Sequence, residues 1–406
     1  MLISAIISAL VSIPGAVPAP QPADAGLRDA PADLSWYVVS DTEIYADGVR
    51  FNSWEAVAAS GYFHQHDTRC GTHAHDAPVD PVAGPRGNAS DCSYNNTTTA
   101  PAYAPGVAKL RIPVVVHVIQ RTNGTGFIPE SRVRSQIDVL NEDFLALSGT
   151  NGAPGFDTQI EFFLATEDPQ GNPTSGITYS TNNTWYNDGG NYWNSLAWDP
   201  DRYLNIYTNS ASGALGYVPG LPQQGGVGNN SDRVVVLHSA FGRNSPIQNY
   251  NLGRTATHEV GHYLGLFHTF DGGCTANGDR IADTNPESSP TFGCPGSRSS
   301  CGLPAPFDNY MDYSDDRCMD KFTEDQGYRM RCTLINYRPS LYQADDPGEP
   351  CPADISAPFG SLDFFDIAYF LTLFNSGDPA ADSNSDGNLN FFDIAAYLDA
   401  FQDGCP

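Results

Sequence analysis

The sequence predicts an α+β protein: a twisted, mostly parallel sheet backed by a helix, followed by a small all-α unit at the C-terminus. Three observations carry this reading. Ile112 to Ile119 (IPVVVHVI) is a β-branched run of the kind found in buried strands, with one proline tolerated near its start. Val133, Ile137, Leu140, Phe144 and Leu147 recur at steps of three and four, which places them on one face of a helix. Gly360 to Ala368 (GSLDFFDIA) returns as Gly387 to Ala395 (GNLNFFDIA), two copies of one supersecondary unit.

The helix is opened by Pro129-Glu130 and closed by Gly149. Further strands are expected at 160–165, 204–208 and 234–238, separated by Gly- and Asn-rich loops. At 406 residues the chain exceeds what one hydrophobic core usually covers. Composition divides it into residues 1–25, 26–107, 108–342, a Pro/Gly/Asp linker at 343–350, and 351–406. Leu2 to Val11 has the length and apolarity of a signal-peptide core, with a small-residue site at Ala23-Asp24-Ala25, although no basic residue precedes it. Residues 26–107 are rich in Ala, Pro, Asp, Asn and Gly and read as a poorly cored, partly extended segment. No segment reads as a membrane span.

The formal net charge of −27 argues against nucleic acid or an anionic membrane as partner, since phosphates would be repelled. Acidity suits solubility and supplies oxygen ligands for Ca2+. Nine cysteines fit an exported protein with disulfides, and the odd number leaves at least one thiol unpaired in a monomer.

The segment most informative about chemistry is His258-Glu259-Val-Gly-His262-Tyr-Leu-Gly265-Leu-Phe-His268. Two histidines four apart share one helix face and can aim at one metal ion. Gly265 can end the helix in the left-handed conformation and return His268 as a third ligand. Three protein ligands leave a fourth position for water, the arrangement of a catalytic zinc. Such an ion lowers the pKa of its water from about 15.7 toward roughly 7, and Glu259 is placed as general base. This extended pattern is the metzincin signature, which implies a two-lobed domain with an active-site helix. Asn309-Tyr-Met311-Asp-Tyr313 is the candidate Met-turn, with Met311 as an apolar floor and Tyr313 pointing its hydroxyl toward the metal or the oxyanion.

From Leu110 to Arg338 the chain resembles the pappalysin family of metzincins. The carrying stretches are 258–268, Gly278 to Thr284, Gly293-Cys294-Pro295, Asn309 to Tyr313, Cys318-Met319 and Phe322-Thr323. The resemblance implies a zinc endopeptidase acting on proteins or peptides, with Tyr313 helping to stabilise the transition state. It implies calcium in the lower lobe, with Asp279, Asp283 and Thr284 as candidate ligands. Cys274, Cys294, Cys301 and Cys318 allow three pairings, and the resemblance favours Cys274–Cys301 with Cys294–Cys318. Arg69-Cys70-Gly71-Thr72 resembles the Cys-Gly-Thr element of the family's pro-segments, in which the thiolate takes the open metal position. The competing expectation is a disulfide from Cys70 to Cys92 or Cys332. On this reading 26–107 is a pro-segment, 108–342 the catalytic domain, and the mature chain begins between Ala100 and Arg111. Asp315 and Asp316 could favour Arg or Lys after the scissile bond, an idea weakened by Arg317 beside them.

In the C-terminal repeat, Asp382, Asn384, Asp386, Asn388, Asn390 and Asp393 hold positions 1, 3, 5, 7, 9 and 12 of a loop with Gly387 at 6, the spacing of a calcium loop. The first copy is degenerate, with Phe359 in place of Asp386. The pair resembles a dockerin domain, which implies a cohesin-like or cell-surface partner and an extracellular location. The alternative to a secreted endopeptidase is a non-catalytic zinc-containing binding or scaffold protein, against which an intact Glu259 argues.

Overall fold

The computed structural model describes residues 36–66, 68–72, 92–93, 103–106, 109–275, 278–344, 353, 355, 362, 364–384 and 387–403. The expected signal peptide and most of the linker lie outside the described residues.

The chain opens with β1 (Trp36–Ser40), β2 (Glu43–Ala46) and β3 (Val49–Phe51), an antiparallel sheet followed by α1 (Trp54–Ala59) and α2 (Tyr62–Gln65). For residues 36–66 this corrects the expectation of an extended segment, while a core of their own is absent as expected. Asp47 and Gly48 both have positive φ, as a two-residue hairpin turn requires. Val38, Ile44, Trp54, Val57 and Phe63 are buried, and they share their core with Tyr186, Tyr207, Leu237 and Tyr250. The segment is too small to bury these side chains by itself, so it shares the core of residues 119–250.

The main sheet comprises β4 (Leu110–Gln120), β5 (Ile160–Leu164), β6 (Ile177–Thr181), β7 (Leu204–Asn209), β8 (Gly216–Tyr217), β9 (Val234–Leu237) and β12 (Gln343–Ala344). Its order is β12-β4-β7-β9-β8, with β5 and β6 also on β4. β4 runs parallel to β5, β6 and β7, and β7 to β9, whereas β8 and β12 are antiparallel. The sheet is therefore mostly parallel, and its central strand reads as a continuous apolar run because both faces are covered. Gln343 and Ala344 belong to this sheet, not to the linker, since a two-residue edge strand is defined by backbone bonds and carries no compositional mark.

Helix α3 (Glu130–Phe144) buries Val133, Ile137, Leu140 and Phe144 against the sheet. Leu147 lies beyond its end and is exposed, a departure from the expected apolar face. Two short helices, α4 (Asn183–Tyr186) and α5 (Trp193–Leu196), precede β7, and α6 (Arg254–Tyr263) follows β9. The loop-rich stretch from 264 to 323 contains the small ladder β10 (Ser299–Ser300) with β11 (Leu303–Pro304) and a short 3-10 turn at Asp316–Cys318 among its described residues. Disulfides Cys274–Cys301 and Cys294–Cys318 cross-link that stretch, and α7 (Glu324–Tyr337) closes it. A third disulfide joins Cys92 to Cys332, which leaves Cys70 as a free, buried thiol among the described cysteines.

Helices α8 (Phe364–Ser376) and α9 (Phe391–Asp403) form a separate small core around Phe370 and Tyr397, whose rings stack at 3.9 Å. No helix among the described residues is long and apolar enough to cross a membrane.

Candidate metal centre and active site

Every residue of α6 is buried. The Asp316 carboxylate sits at its N-terminus and accepts from Leu252 N (2.9 Å) and Arg254 N (3.2 Å), a favourable place for negative charge. Deeper in, Asp143 on α3 accepts from Arg254 Nη2 (3.0 Å), Thr257 Oγ1 (2.6 Å) and Tyr310 Oη (2.8 Å). One carboxylate thus ties α3, α6 and the 309–313 turn together. Burial pushes Asp143 up to about 6 against the pull of Arg254.

His258 and His262 occupy adjacent turns of α6. His258 Nδ1 lies 2.7 Å from the Tyr310 carbonyl and His262 Nδ1 lies 2.8 Å from the Leu266 carbonyl. A carbonyl can only accept, so both Nδ1 atoms carry the proton and both Nε2 atoms present lone pairs. Gly265 has φ +93°, which turns the chain after the helix and brings His268 back. His262 Nε2 is then 3.1 Å from His258 Nε2 and 3.0 Å from His268 Nε2. Lone pairs converging at this distance repel unless a cation stands among them, so the donor set fits a zinc ion. Burial, and secondarily the other imidazoles, hold His258 and His262 well below the ordinary histidine value, so they remain neutral as metal ligands must. Asp271 Oδ2, 3.3 Å from His268 Nδ1, orients the third ring.

Met311 is fully buried beneath the helix. A β-carbon at position 261 would overlap Met311 Sδ, so the glycine inside the histidine motif is a packing requirement. Tyr313 Oη lies 3.3 Å from His268 Nε2 and 3.5 Å from the Cys70 carbonyl. Glu259 is fully buried beside β8, where Gly216 leaves room that a side chain would fill. Burial pushes Glu259 up to about 8.

Cys70 completes the cluster. Its Sγ and one ring nitrogen from each of His258, His262 and His268 all lie within 4.8 Å of one another, the one such group found among the described residues. The Cys70 thiol donates to Glu259 Oε2 at 3.4 Å, and burial raises its pKa well above the usual thiol value. Thr72 Oγ1 accepts from Val218 N (2.9 Å) and lies 3.3 Å from Glu259 Oε2. Gly71 N donates to the Gly216 carbonyl (2.9 Å) and Leu215 N to the Thr68 carbonyl (3.2 Å), so residues 68–72 lie along the β8 edge. Neither Thr72, the last residue of the Cys-Gly-Thr element, nor Arg69 before it was given a role of its own from sequence. The Arg69 side chain is buried 4.9 Å over the Tyr250 ring and makes no hydrogen bond among the described residues.

The expected calcium ligands are only partly assembled. Asp279 Oδ1 accepts from Thr284 Oγ1 (2.6 Å) and Ile281 N (3.1 Å), and burial pushes Asp279 up to about 7. Asp283 instead accepts from Asp325 N at the start of α7 (3.0 Å). In the C-terminal loop, Asp393 accepts from Asn390 N (2.7 Å) and Asn384 N (3.4 Å), and Asp382 from Gly387 N (2.8 Å). Asn388 contributes its carbonyl to Asn390 Nδ2 (2.9 Å), and Asp386 lies outside the described residues.

The peptidase family M43, described as pregnancy-associated plasma protein-A, matches residues 191–335. An extracellular metalloprotease of Colletotrichum graminicola is 38% identical over 241 residues, covering 57% of this chain and 78% of the relative. Extracellular metalloprotease 1 of Coccidioides posadasii is 37% identical over 249 residues, covering 58% and 81%. Among solved structures, Tannerella forsythia mature mirolysin in complex with a cleaved peptide is 38% identical, covers 58% of this chain and 96% of its own, and superposes with a TM-score of 0.50. A mutant of Tannerella forsythia promirolysin is 35% identical, covers 59% and 87%, and reaches a TM-score of 0.51. With over two thirds of these relatives' lengths covered at this identity, the chain belongs to the pappalysin family of metalloproteases and is a metalloendopeptidase.

Proposed function

We propose that the chain is a secreted zinc endopeptidase made as a zymogen, with His258, His262 and His268 as metal ligands, Glu259 as general base and Cys70 as the latency ligand. The observation that carries this reading is the convergence of three imidazole Nε2 atoms with the Cys70 thiol, directly beside a buried glutamate.

When bound, zinc supplies Lewis acidity toward water and toward the scissile carbonyl. Glu259 takes the proton at its carboxylate and passes it to the leaving amine nitrogen, a role that fits its buried place beside the three histidines. Tyr313 Oη, which donates to the Cys70 carbonyl at 3.5 Å, turns to the oxyanion once residues 68–72 have left the cleft. The β8 edge offers Leu215 N and the Gly216 carbonyl, now engaged by residues 68–72, to the backbone of an extended substrate. Asp315 and Asp316 favour a basic residue after the scissile bond. Burial raises both carboxyls; Arg317, whose Nη2 lies 3.6 Å from Asp315, and then Arg69 pull Asp315 back down, and Arg69 does the same at Asp316.

The relatives named extracellular metalloproteases support secretion. The C-terminal unit is read as a dockerin-like anchor, with Asp382, Asn384, Asp386, Asn388, Asn390 and Asp393 around a calcium ion and a cohesin-like or surface partner. Calcium at Asp279, Asp283 and Thr284 is a weaker reading, because Asp283 is engaged at α7.

X-ray absorption at the zinc edge tests the site. The unprocessed chain is expected to hold zinc with nitrogen and sulfur neighbours, and the processed chain to lose the sulfur. A zinc shell without sulfur in the unprocessed chain would remove Cys70 from the account.

A further inference from the structure

The N-terminal part of the chain meets the catalytic domain in two places of different character. Residues 68–72 lie in the cleft through Cys70, Thr72 and the β8 edge. Cys92 lies elsewhere, bonded to Cys332 on α7 across 240 positions of sequence. Its carbonyl accepts from Gln223 Nε2 (3.0 Å). Tyr103 follows the same path: its carbonyl accepts from Arg331 Nε (3.1 Å) and its hydroxyl from Asn336 Nδ2 (3.1 Å). Cys92, Cys332 and Tyr337 make a small buried core with Tyr103 and Val227. In chain order, then, the blocking thiol comes first, the covalent anchor second and the first strand of the main sheet third.

We propose that the Cys92–Cys332 disulfide decides which proteolytic cuts can activate the enzyme, an inference that rests on the reading of Cys70 as the latency ligand. Hydrolysis breaks one backbone C–N bond, consumes one water and leaves the Sγ–Sγ bond intact. A cut between Thr72 and Cys92 leaves the piece that carries Cys70 held only by noncovalent contacts and free to dissociate, while Cys92 and everything after it stay with the catalytic domain. A cut between Ser93 and Leu110 leaves that piece covalently held through Cys92. A short tether keeps it at an effective concentration of about a millimolar, roughly 10³-fold above a free segment at micromolar protein, so it rebinds the cleft. Processing between Ala100 and Arg111, where the pro-segment reading of the sequence places the mature start, therefore nicks the chain without releasing the block. Cys92 to Gly106 belong to the active enzyme.

The test uses full-length protein carrying a recognition sequence for an unrelated, specific protease, inserted after position 80 in one variant and after position 107 in another. Each is cut to completion, run on a non-reducing gel and assayed for peptide hydrolysis. The cut after 80 is expected to release a fragment and activity. The cut after 107 is expected to leave one covalent species at least roughly tenfold less active. Adding Cys92→Ser and Cys332→Ser to the second variant is expected to restore activity and abolish the difference, although the comparison of the two cuts stands without it. Equal activity after the two cuts would overturn the proposal. Uncut Cys70→Ala separates the two levels. If it is no more active than the uncut parent, Cys70 is not the latency ligand, and the proposal, which rests on that reading, is overturned. If it is active while the two cut forms match, only the tether has failed.

Discussion

Glu259→Gln is expected to lower peptide hydrolysis by about 10²–10⁴-fold, the usual contribution of a positioned general base. The substitution keeps the size and shape of the side chain, so it fits the space beside Gly216 that the glutamate now fills. The amide cannot take a proton at neutral pH. The histidines and their carbonyl partners are untouched, so zinc content is expected to match the wild type. Activity and metal content measured on one preparation therefore separate loss of the base from loss of the site. Retained hydrolysis with full zinc would mean that another group removes the proton.

Cys70→Ala is expected to raise hydrolysis by the unprocessed chain roughly 10–100-fold, still below the processed enzyme. The sulfur is one of several contacts holding residues 68–72 in the cleft. The Gly71–Gly216 and Thr68–Leu215 backbone bonds and the Thr72–Val218 bond remain, each contributing about 0.5–1.5 kcal/mol. The variant should thus open the metal position while the peptide-binding edge stays largely occupied. Initial rates on a short fluorogenic peptide, taken before any self-processing, measure this. An unprocessed variant as silent as the parent would place latency in those backbone contacts and not in the thiol.

Much of the metal centre could be read in sequence because its geometry is local. His258, Glu259 and His262 share one short helix, and Gly265 and His268 follow at offsets that each have a mechanical purpose. The central strand was legible for a similar reason, as a long apolar run such as Leu110–Gln120 has few other uses. The N-terminal sheet was not, because Trp36, Trp54 and Tyr62 bury against residues far away in sequence. Its one local sign was the Asp47-Gly48 turn between two short strands. β12 is held by two residues and Leu110–Arg111, so nothing in its composition sets it apart from a linker. Composition likewise hid the anchoring of Cys92 and Tyr103, which depends on α7 and not on their neighbours in sequence. Asp283 has a second use that its sequence did not show: its carboxylate accepts from Asp325 N at the start of α7.

The central claim is that this chain cuts peptide bonds with a metal held by His258, His262 and His268. Its most direct test is a mixed peptide library incubated with processed protein as zinc-loaded, chelator-stripped and zinc-restored samples, with products read by mass spectrometry. The account predicts internal cuts in the first sample, none in the second and the same cuts again in the third, enriched in Arg or Lys after the broken bond. Cuts that persist without metal, or a zinc-loaded sample that makes none, would contradict it.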